Sequence, residues 1–325
     1  MKVAILGYGN LGKGAEVSVT NAPDMELVGI FTQRDPAEIK TITGAPVYKA
    51  VELMNHKDEI DVLLLCGGSA TDLPHVTPQY ASSFNVVDTF DNHNHINEHF
   101  NIVNSAALAG GHLALISTGW DPGMFSLARL YSASILPSGK VYTFWGKGVS
   151  QGHSDAIRRV PGVKDARQYT IPIESAMDAV RKGENPSFTA RQKHLRQCFV
   201  VAEEGADKAE ITERIKTMPD YFEPYDTTVE FVTEEELLRD HSELPHGGAV
   251  IHSGTTGPDN KHKETIEYKL TLDSNPEFTA SIMTAYARAV FRMYQRGARG
   301  CISVFDVAPA DLSLMSPEEM RKNLL

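Results

Sequence analysis

Short apolar runs alternate with longer amphipathic stretches through the first 120 or so positions. Val3 to Leu6, Met25 to Phe31, Asp61 to Cys66, Asn85 to Asp88 and Leu113 to Ile116 each read as a strand buried on both faces. Helical stretches separate them. This alternation predicts an α/β fold with an N-terminal Rossmann-like, doubly wound parallel sheet. The pattern then changes. A helix-like segment through Leu136 leads to a strand over Lys140 to Trp145. Strand-like segments recur at 163–172, 194–202, 225–232, 247–254 and 264–272, interleaved with helices near 174–182 and 206–217. They predict a second, mixed α+β domain. Pro276 to Arg299 reads as one long amphipathic helix, for which packing is a sufficient role.

Composition narrows the class. At 325 residues the chain exceeds the roughly 250–300 at which single cores stop growing, so more than one domain is expected. With 42% hydrophobic and 22% charged residues it is neither disordered nor collagenous. Its net charge of -11 argues against non-specific nucleic-acid or anionic-membrane binding, while a locally basic pocket could still take an anion. Cys66, Cys198 and Cys301 are far apart and lack CxxC spacing, which predicts free thiols and a cytoplasmic setting. No apolar run approaches the ~20 residues of a membrane span. Met1 to Leu6 lacks the marks of a signal peptide and runs straight into a glycine turn.

That turn is Gly7-Tyr8-Gly9-Asn10-Leu11-Gly12, a G-x-G-x-x-G between a strand and a helix, with a second strand following. This frame is what the dinucleotide fingerprint requires: a tight turn at Gly7, close backbone approach at Gly9, and helix-on-strand packing at Gly12. A glycine turn without ligand is the plainer alternative. At the end of the second strand, where an acid would bind a ribose 2′-hydroxyl, stand Thr32, Gln33 and Arg34. A guanidinium fork there favours a 2′-phosphate, hence NADP. Asp35 could instead turn back to the ribose, and Arg34 could be a solvated loop residue.

Ligands of such sheets bind beyond the carboxyl ends of the strands. Two aspartates fall there, Asp91 in Asp88-Thr89-Phe90-Asp91-Asn92-His93 and Asp121 in Gly119-Trp120-Asp121-Pro122. Paired carboxylates suit binding of an ammonium group, or removal of its proton before hydride transfer. The alternatives are a turn residue for Asp91 and, for Asp121-Pro122, a helix cap with Pro at the first helical position. His93, His95 and His99 raise a zinc reading. No further Cys/His set completes it, and solvated histidines at a helix start are the preferred explanation. Arg196 and His246 are candidate carboxylate binders, each with a structural alternative.

Together these stretches resemble the meso-diaminopimelate dehydrogenase family. The likeness is carried by GYGNLG (7–12), VGIFTQRD (28–35), SATD (69–72), VDTFDNH (87–93), STGWDPGMFS (117–126), TFWGKGVSQGHSDAIRRVPGV (143–163), RQCFVVA (196–202), TMPDYF (217–222), PHGG (245–248) and NPEFTA (275–280). The resemblance implies NADP-dependent, reversible oxidative deamination of meso-2,6-diaminopimelate at its D-centre. The product is L-2-amino-6-oxopimelate, which cyclises to tetrahydrodipicolinate for lysine and cell-wall synthesis. It implies a homodimer, ammonia as co-product and no metal. It places Asp91 and Asp121 at the reacting centre, with Trp120 and Trp145 shaping the pocket. The distal centre falls to Thr170, Arg196, His246 and Asn275, with Gln151 and Gly152 in a substrate loop. Cofactor contacts fall on Gly7, Tyr8, Gly9, Asn10, Leu11, Gly12, Thr32, Gln33, Arg34, Cys66, Gly67, Gly68, Ser69, Asn92, His93 and Pro122. The implied domains are 1–118 with 274–300 for NADP, 119–151 for dimerisation, and 152–273 with 301–325 for substrate. Relatives commonly carry two adjacent arginines where this chain has Gln33-Arg34, a departure that weakens the grip on a 2′-phosphate.

Three other readings compete. A Rossmann-type NADP oxidoreductase could act on a different D-amino acid or on a sugar, although DTFDNH lacks the lysine of the sugar enzymes. A non-catalytic NADP sensor would not need both strand-end aspartates and Arg196. A hydrolase built on the three histidines would be sensitive to chelators.

Overall fold

Val3, Ala4, Ile5, Leu63, Leu64, Val86, Val87, Ala114 and their neighbours are all excluded from solvent, as strands covered on both faces require. The computed structural model describes residues 1–325. It divides into one unit of Met1–Leu127 with Pro276–Leu325 and a second of Ala128–Asn275. The chain opens with β1 (Lys2–Leu6), α1 (Asn10–Thr20), β2 (Glu26–Thr32), β3 (Val47–Lys49), β4 (Val62–Leu65), α2 (Leu73–Ala81), β5 (Val86–Asp88), α3 (Ile96–Gly110), β6 (Leu113–Leu115) and α4 (Met124–Ile135). Then follow β7 (Lys140–Trp145), β8 (Gly148–Val149), α5 (Gln151–Arg158), β9 (Val163–Pro172), α6 (Glu174–Arg181), α7 (Ala190–Lys193), β10 (His194–Ala202), α8 (Lys208–Lys216), β11 (Asp226–Phe231), α9 (Glu234–Asp240), β12 (His246–Thr256) and β13 (His262–Leu272). The last elements are α10 (Asn275–Gln295), β14 (Gly300–Ile302), α11 (Pro309–Leu312) and α12 (Pro317–Leu324).

In the first unit seven strands form one sheet in the order β14-β6-β5-β4-β1-β2-β3, and every neighbouring pair is parallel. The winding direction reverses between β1 and β4, so their carboxyl ends flank the crevice where such sheets hold ligands. Phe31, Leu63, Leu65, Val86 and Ala114 from the strands meet Leu73, Ala81, Val103 and Ala107 from the helices in the core.

The second unit holds two sheets, β11-β10-β9-β8 and β13-β12-β7. Phe222, Ile157, Ile211 and Ile215 pack on the first. Met177 and Val180 of α6 pack with Phe144, Ala249 and Ile251 of the second. The expected strands at 163–172 and 194–202 match β9 and β10. The short elements β3, β8 and β14 fall outside the expected strands.

This division differs from the expected one at two places. Residues 301–325 belong with the first unit, not with the substrate domain. β14 extends the parallel sheet beside β6. Arg288 grips Asp24 at 2.6 and 2.8 Å and donates to the Leu312 carbonyl, while Arg296 clasps Asp311 at 2.7 and 2.6 Å. The break near residue 119 falls instead at 127/128, inside α4. No helix is long and apolar enough to cross a membrane, and all three cysteines are buried and free.

Candidate active site

Helix α1 begins directly on the glycine turn. Gly9 is its N-cap, no side chain caps it, and its first turn has no acidic residue. Its leading N–H groups and positive dipole end are therefore offered to an anion. Gly7 has φ +100°, and a Cβ on Gly12 would lie 2.2 Å from the Gly7 carbonyl oxygen. Only glycine permits that approach. A Cβ on Gly9 would meet nothing within 4 Å, so open space lies over the loop, with Asn10 and Leu11 beside it.

Tyr8 offers the loop's exterior only its backbone. Its phenol is buried and donates to the carboxylate of Glu16, and burial together with that acid pushes it up to about 12. Glu16 also accepts from the Ile42 and Thr43 N–H groups at 3.1 and 2.6 Å. The Tyr8 carbonyl accepts from the guanidinium of Arg34. Thr32 is buried and its Oγ1 accepts the Arg34 N–H at 3.2 Å, while Gln33 is exposed. Asp35 does not turn back toward a ribose. Its Oδ1 accepts the Ala37 N–H at 3.2 Å, capping the turn Pro36–Glu38. The end of β2 thus presents a guanidinium and no competing acid.

The loops after β4, β5 and β6 leave the same sheet edge. Cys66 donates its N–H to the Leu6 carbonyl at 2.8 Å, and the Gly68 N–H, next to Gly67, donates to Asp72 at 2.8 Å. Ser69 Oγ accepts the Asp91 N–H at 2.8 Å and ties two of the loops together. The Asp91 side chain is exposed and that of Asp121 half-buried. Because β5 and β6 are neighbouring parallel strands, their loops bring both aspartates to one edge. The helix-cap alternative for Asp121-Pro122 fails, because α4 opens only at Met124. Trp120 is buried, edge-on to Phe125. Asn92 precedes the short turn His93–His95.

The histidine cluster needs correction. His93 and His95 are exposed, but His99 is buried, with Nε2 2.7 Å from Asp88 Oδ2. It faces inward and is no solvated residue. Asp88 itself escaped the sequence reading, although an acid closing the apolar strand Val86-Val87-Asp88 was a visible signal. Ser117 Oγ and Thr118 Oγ1 are buried without a partner at the same edge. Unclaimed hydroxyls, an uncapped helix end and open space over Gly9 fit a dinucleotide.

The second unit gathers a different chemistry. Arg196 lies within β10 opposite Thr170 of β9 and donates to its hydroxyl. The guanidinium sits 3.9 Å above the Tyr225 ring, is 5% exposed, and its Nε has no partner. Burial weakens its hold on the proton. A buried, planar donor with an unused N–H has the chemistry to receive a carboxylate.

Histidines surround it. Burial, with Arg196 and His246 nearby, pushes His153 down to about 3. Burial, with Lys193 and Arg196, does the same to His194. Both rings are therefore neutral near pH 7. Trp145 stacks on His194 at 5.3 Å and donates its backbone N–H to Nε2 at 2.8 Å. His246 opens β12, where the Gly247 N–H donates to its Nδ1 at 2.8 Å. Asn275 opens α10 and donates its N–H to the Leu244 carbonyl at 3.0 Å. Gln151 and Gly152 lie not in a loop but in the first turn of α5, which Ser150 caps.

A parallel sheet with a glycine cradle at its switch point, an arginine at the end of its second strand and carboxylates beyond the next strand ends defines a Rossmann-type, NADP-dependent oxidoreductase. Residues 119–274 match the diaminopimelic acid dehydrogenase C-terminal domain. The chain is 59% identical to meso-diaminopimelate D-dehydrogenase of Acetivibrio thermocellus, over all of this chain and 98% of that one. Diaminopimelate dehydrogenase of Corynebacterium glutamicum, solved in complex with DAP, superposes with a TM-score of 0.93 at 47% identity, over 100% and 99% of the two chains. An engineered D-amino acid dehydrogenase bound to NADP+ gives 0.90 at 46%, over the same shares. The chain belongs to the meso-diaminopimelate D-dehydrogenase family.

Proposed function

We propose that this chain catalyses the NADP-dependent, reversible oxidative deamination of meso-2,6-diaminopimelate at its D-centre, yielding L-2-amino-6-oxopimelate and ammonia. The observation that carries this reading is the pair of strand-end aspartates on a dinucleotide-binding sheet, in a chain with a buried, carboxylate-ready arginine. NADP, when bound, supplies the oxidised pyridine ring that accepts a hydride. The 8–11 turn at the α1 N-terminus, Thr32 to Arg34 and the 66–69, 91–93 and 118–122 segments would hold it.

The chain's own residues do the rest. The substrate nitrogen is protonated at neutral pH and has no lone pair to drive hydride loss. Asp91 or Asp121, directly or through water, takes that proton. As the C–H bond breaks, the lone pair forms the iminium. Water adds to its carbon, and ammonia leaves. Arg196 and Thr170 bind the distal carboxylate, with Trp145, Gln151, Gly152, His246 and Asn275 completing that subsite. Remote binding energy thereby orients the reacting centre. The idle end selects the stereocentre.

The protein is a cytoplasmic homodimer in this reading. Residues 119–151 serve dimerisation, supported by Leu130, Tyr131 and Ile135, which α4 leaves exposed. The test is absorbance of the reduced nicotinamide with NADP and meso-, LL- or DD-diaminopimelate offered separately. The meso isomer should support reduction, the LL isomer none. Absence of reduction with the meso isomer refutes the reading, and an equal rate with other D-amino acids would redirect it to a broader D-amino acid oxidoreductase.

A further inference from the structure

The carboxylate of Asp88 is fully buried at the end of β5, and four groups surround it. Oδ1 accepts the Phe90 N–H at 3.0 Å and the Ser117 N–H at 2.8 Å. Oδ2 accepts the Thr77 hydroxyl of α2 at 2.8 Å and lies 2.7 Å from Nε2 of His99 of α3. Its carbonyl accepts the Thr118 N–H at 2.9 Å. Phe90 stacks on the His99 ring, centroids 4.1 Å apart.

A buried carboxylate is a costly way to end a strand, and an aliphatic residue would fill the place more cheaply. What an aliphatic residue could not do is join two loops. One backbone partner immediately precedes Asp91. The other lies four residues before Asp121, at Ser117, whose φ of +57° is left-handed and needs holding. The two helices fix the carboxylate from behind, and its free oxygen reaches both loops at once.

We propose that Asp88, oriented by His99 and Thr77, is a positioning residue that sets the spacing of Asp91 and Asp121. It touches no reacting atom and acts through the loop backbones. The inference rests on the proposed reaction for its effect on rate, but the coupling of the loops is independent of substrate.

The experiment compares Asp88→Leu, which removes both acceptors, with Asp88→Asn, which keeps one oxygen for both loop amides. Steady-state kinetics with meso-diaminopimelate and NADP is paired with hydrogen exchange of peptides spanning 89–93 and 116–122, measured without substrate. Asp88→Leu should lower kcat about 100-fold, the scale of an ångström-sized misplacement, with a smaller change in KM for NADP. Exchange should rise in both peptides together. Asp88→Asn should recover to within about tenfold of native, with slower exchange. If Asp88→Leu does not fold, His99→Leu is read the same way, with His99→Gln as its rescue. Native exchange in both loops, or faster exchange in only one, overturns the proposal, as does an unchanged kcat in a variant whose loops exchange faster. A native enzyme inactive on meso-diaminopimelate would refute the function reading alone, and the exchange data would still decide the coupling.

Discussion

The first unit's ligand edge is built mainly from backbone, whereas the second unit's is built from side chains. At the sheet edge of the first unit, the α1 N–H groups, the Gly7–Gly12 approach and the loop amides on Asp88 and Ser69 make the geometry. In the second, Arg196 is carried on a strand among Thr170, Tyr225 and neutral histidines. A backbone cradle recognises what many ligands share, a phosphate. A buried side-chain receptor recognises one charged group at one place, and its removal leaves no substitute.

The largest effect should therefore follow from Arg196→Ala. Losing a buried, charge-assisted carboxylate contact should lower kcat/KM for meso-diaminopimelate about 1,000-fold, equivalent to about 4 kcal/mol. NADPH binding, followed by its fluorescence, should stay within about twofold, because Arg196 and the glycine cradle belong to different units. An equal loss of cofactor affinity would break the contrast between the two regions.

A smaller effect is expected from Arg34→Ala. It removes the guanidinium at the end of β2 but leaves the helix terminus and glycines intact. Affinity for NADP should fall about 30-fold, roughly 2 kcal/mol, and affinity for NAD by much less, since with NAD only the Arg34 bond to the Tyr8 carbonyl is lost and no charge partner. Because Gln33 leaves Arg34 as the single cation at the end of β2, the native preference for NADP should be real but modest. Comparable kcat/KM values for both cofactors in the native protein would show that Arg34 does not read the phosphate.

The same contrast explains what the sequence disclosed. The first unit's features have local signatures: G-x-G-x-x-G between strand and helix, and Thr32-Gln33-Arg34 in place of an acid. The glycine turn and the acid-free end of β2 could therefore be proposed from spacing, whereas the 66–69 contacts came only from the resemblance and Asp88 was missed. The second unit's set was not legible in this way, since Thr170 and Arg196 meet only through β9–β10 pairing and His246 stands on a separate sheet. Only the family resemblance gathered them. His99 was misread because helical periodicity cannot say that a histidine turns inward to a buried acid. The tail at 301–325 was misassigned because three residues, Gly300–Ile302, joined it to the parallel sheet.

The smallest effect concerns pH and belongs to the second unit. His153 and His194 are held near 3, well below the ordinary histidine range, chiefly by burial. Unfolded, they take up protons near pH 6.5, while folded they do not. Between about pH 6.5 and 4.5, above the carboxylate range, the unfolded state therefore binds more protons than the native state. Stability is complete above pH 6.5 and falls as pH drops through that window. Each histidine contributes a slope of up to about 1.4 kcal/mol per pH unit. The check is the urea midpoint against pH, for the native chain and for His153→Gln. The variant should show a shallower decline, because glutamine has no proton to gain. A decline of equal slope in both would mean that His153 can charge in the folded state. The second unit's receptor would then be wetter than the burial of Arg196 implies, and the contrast with the solvent-open glycine cradle would narrow.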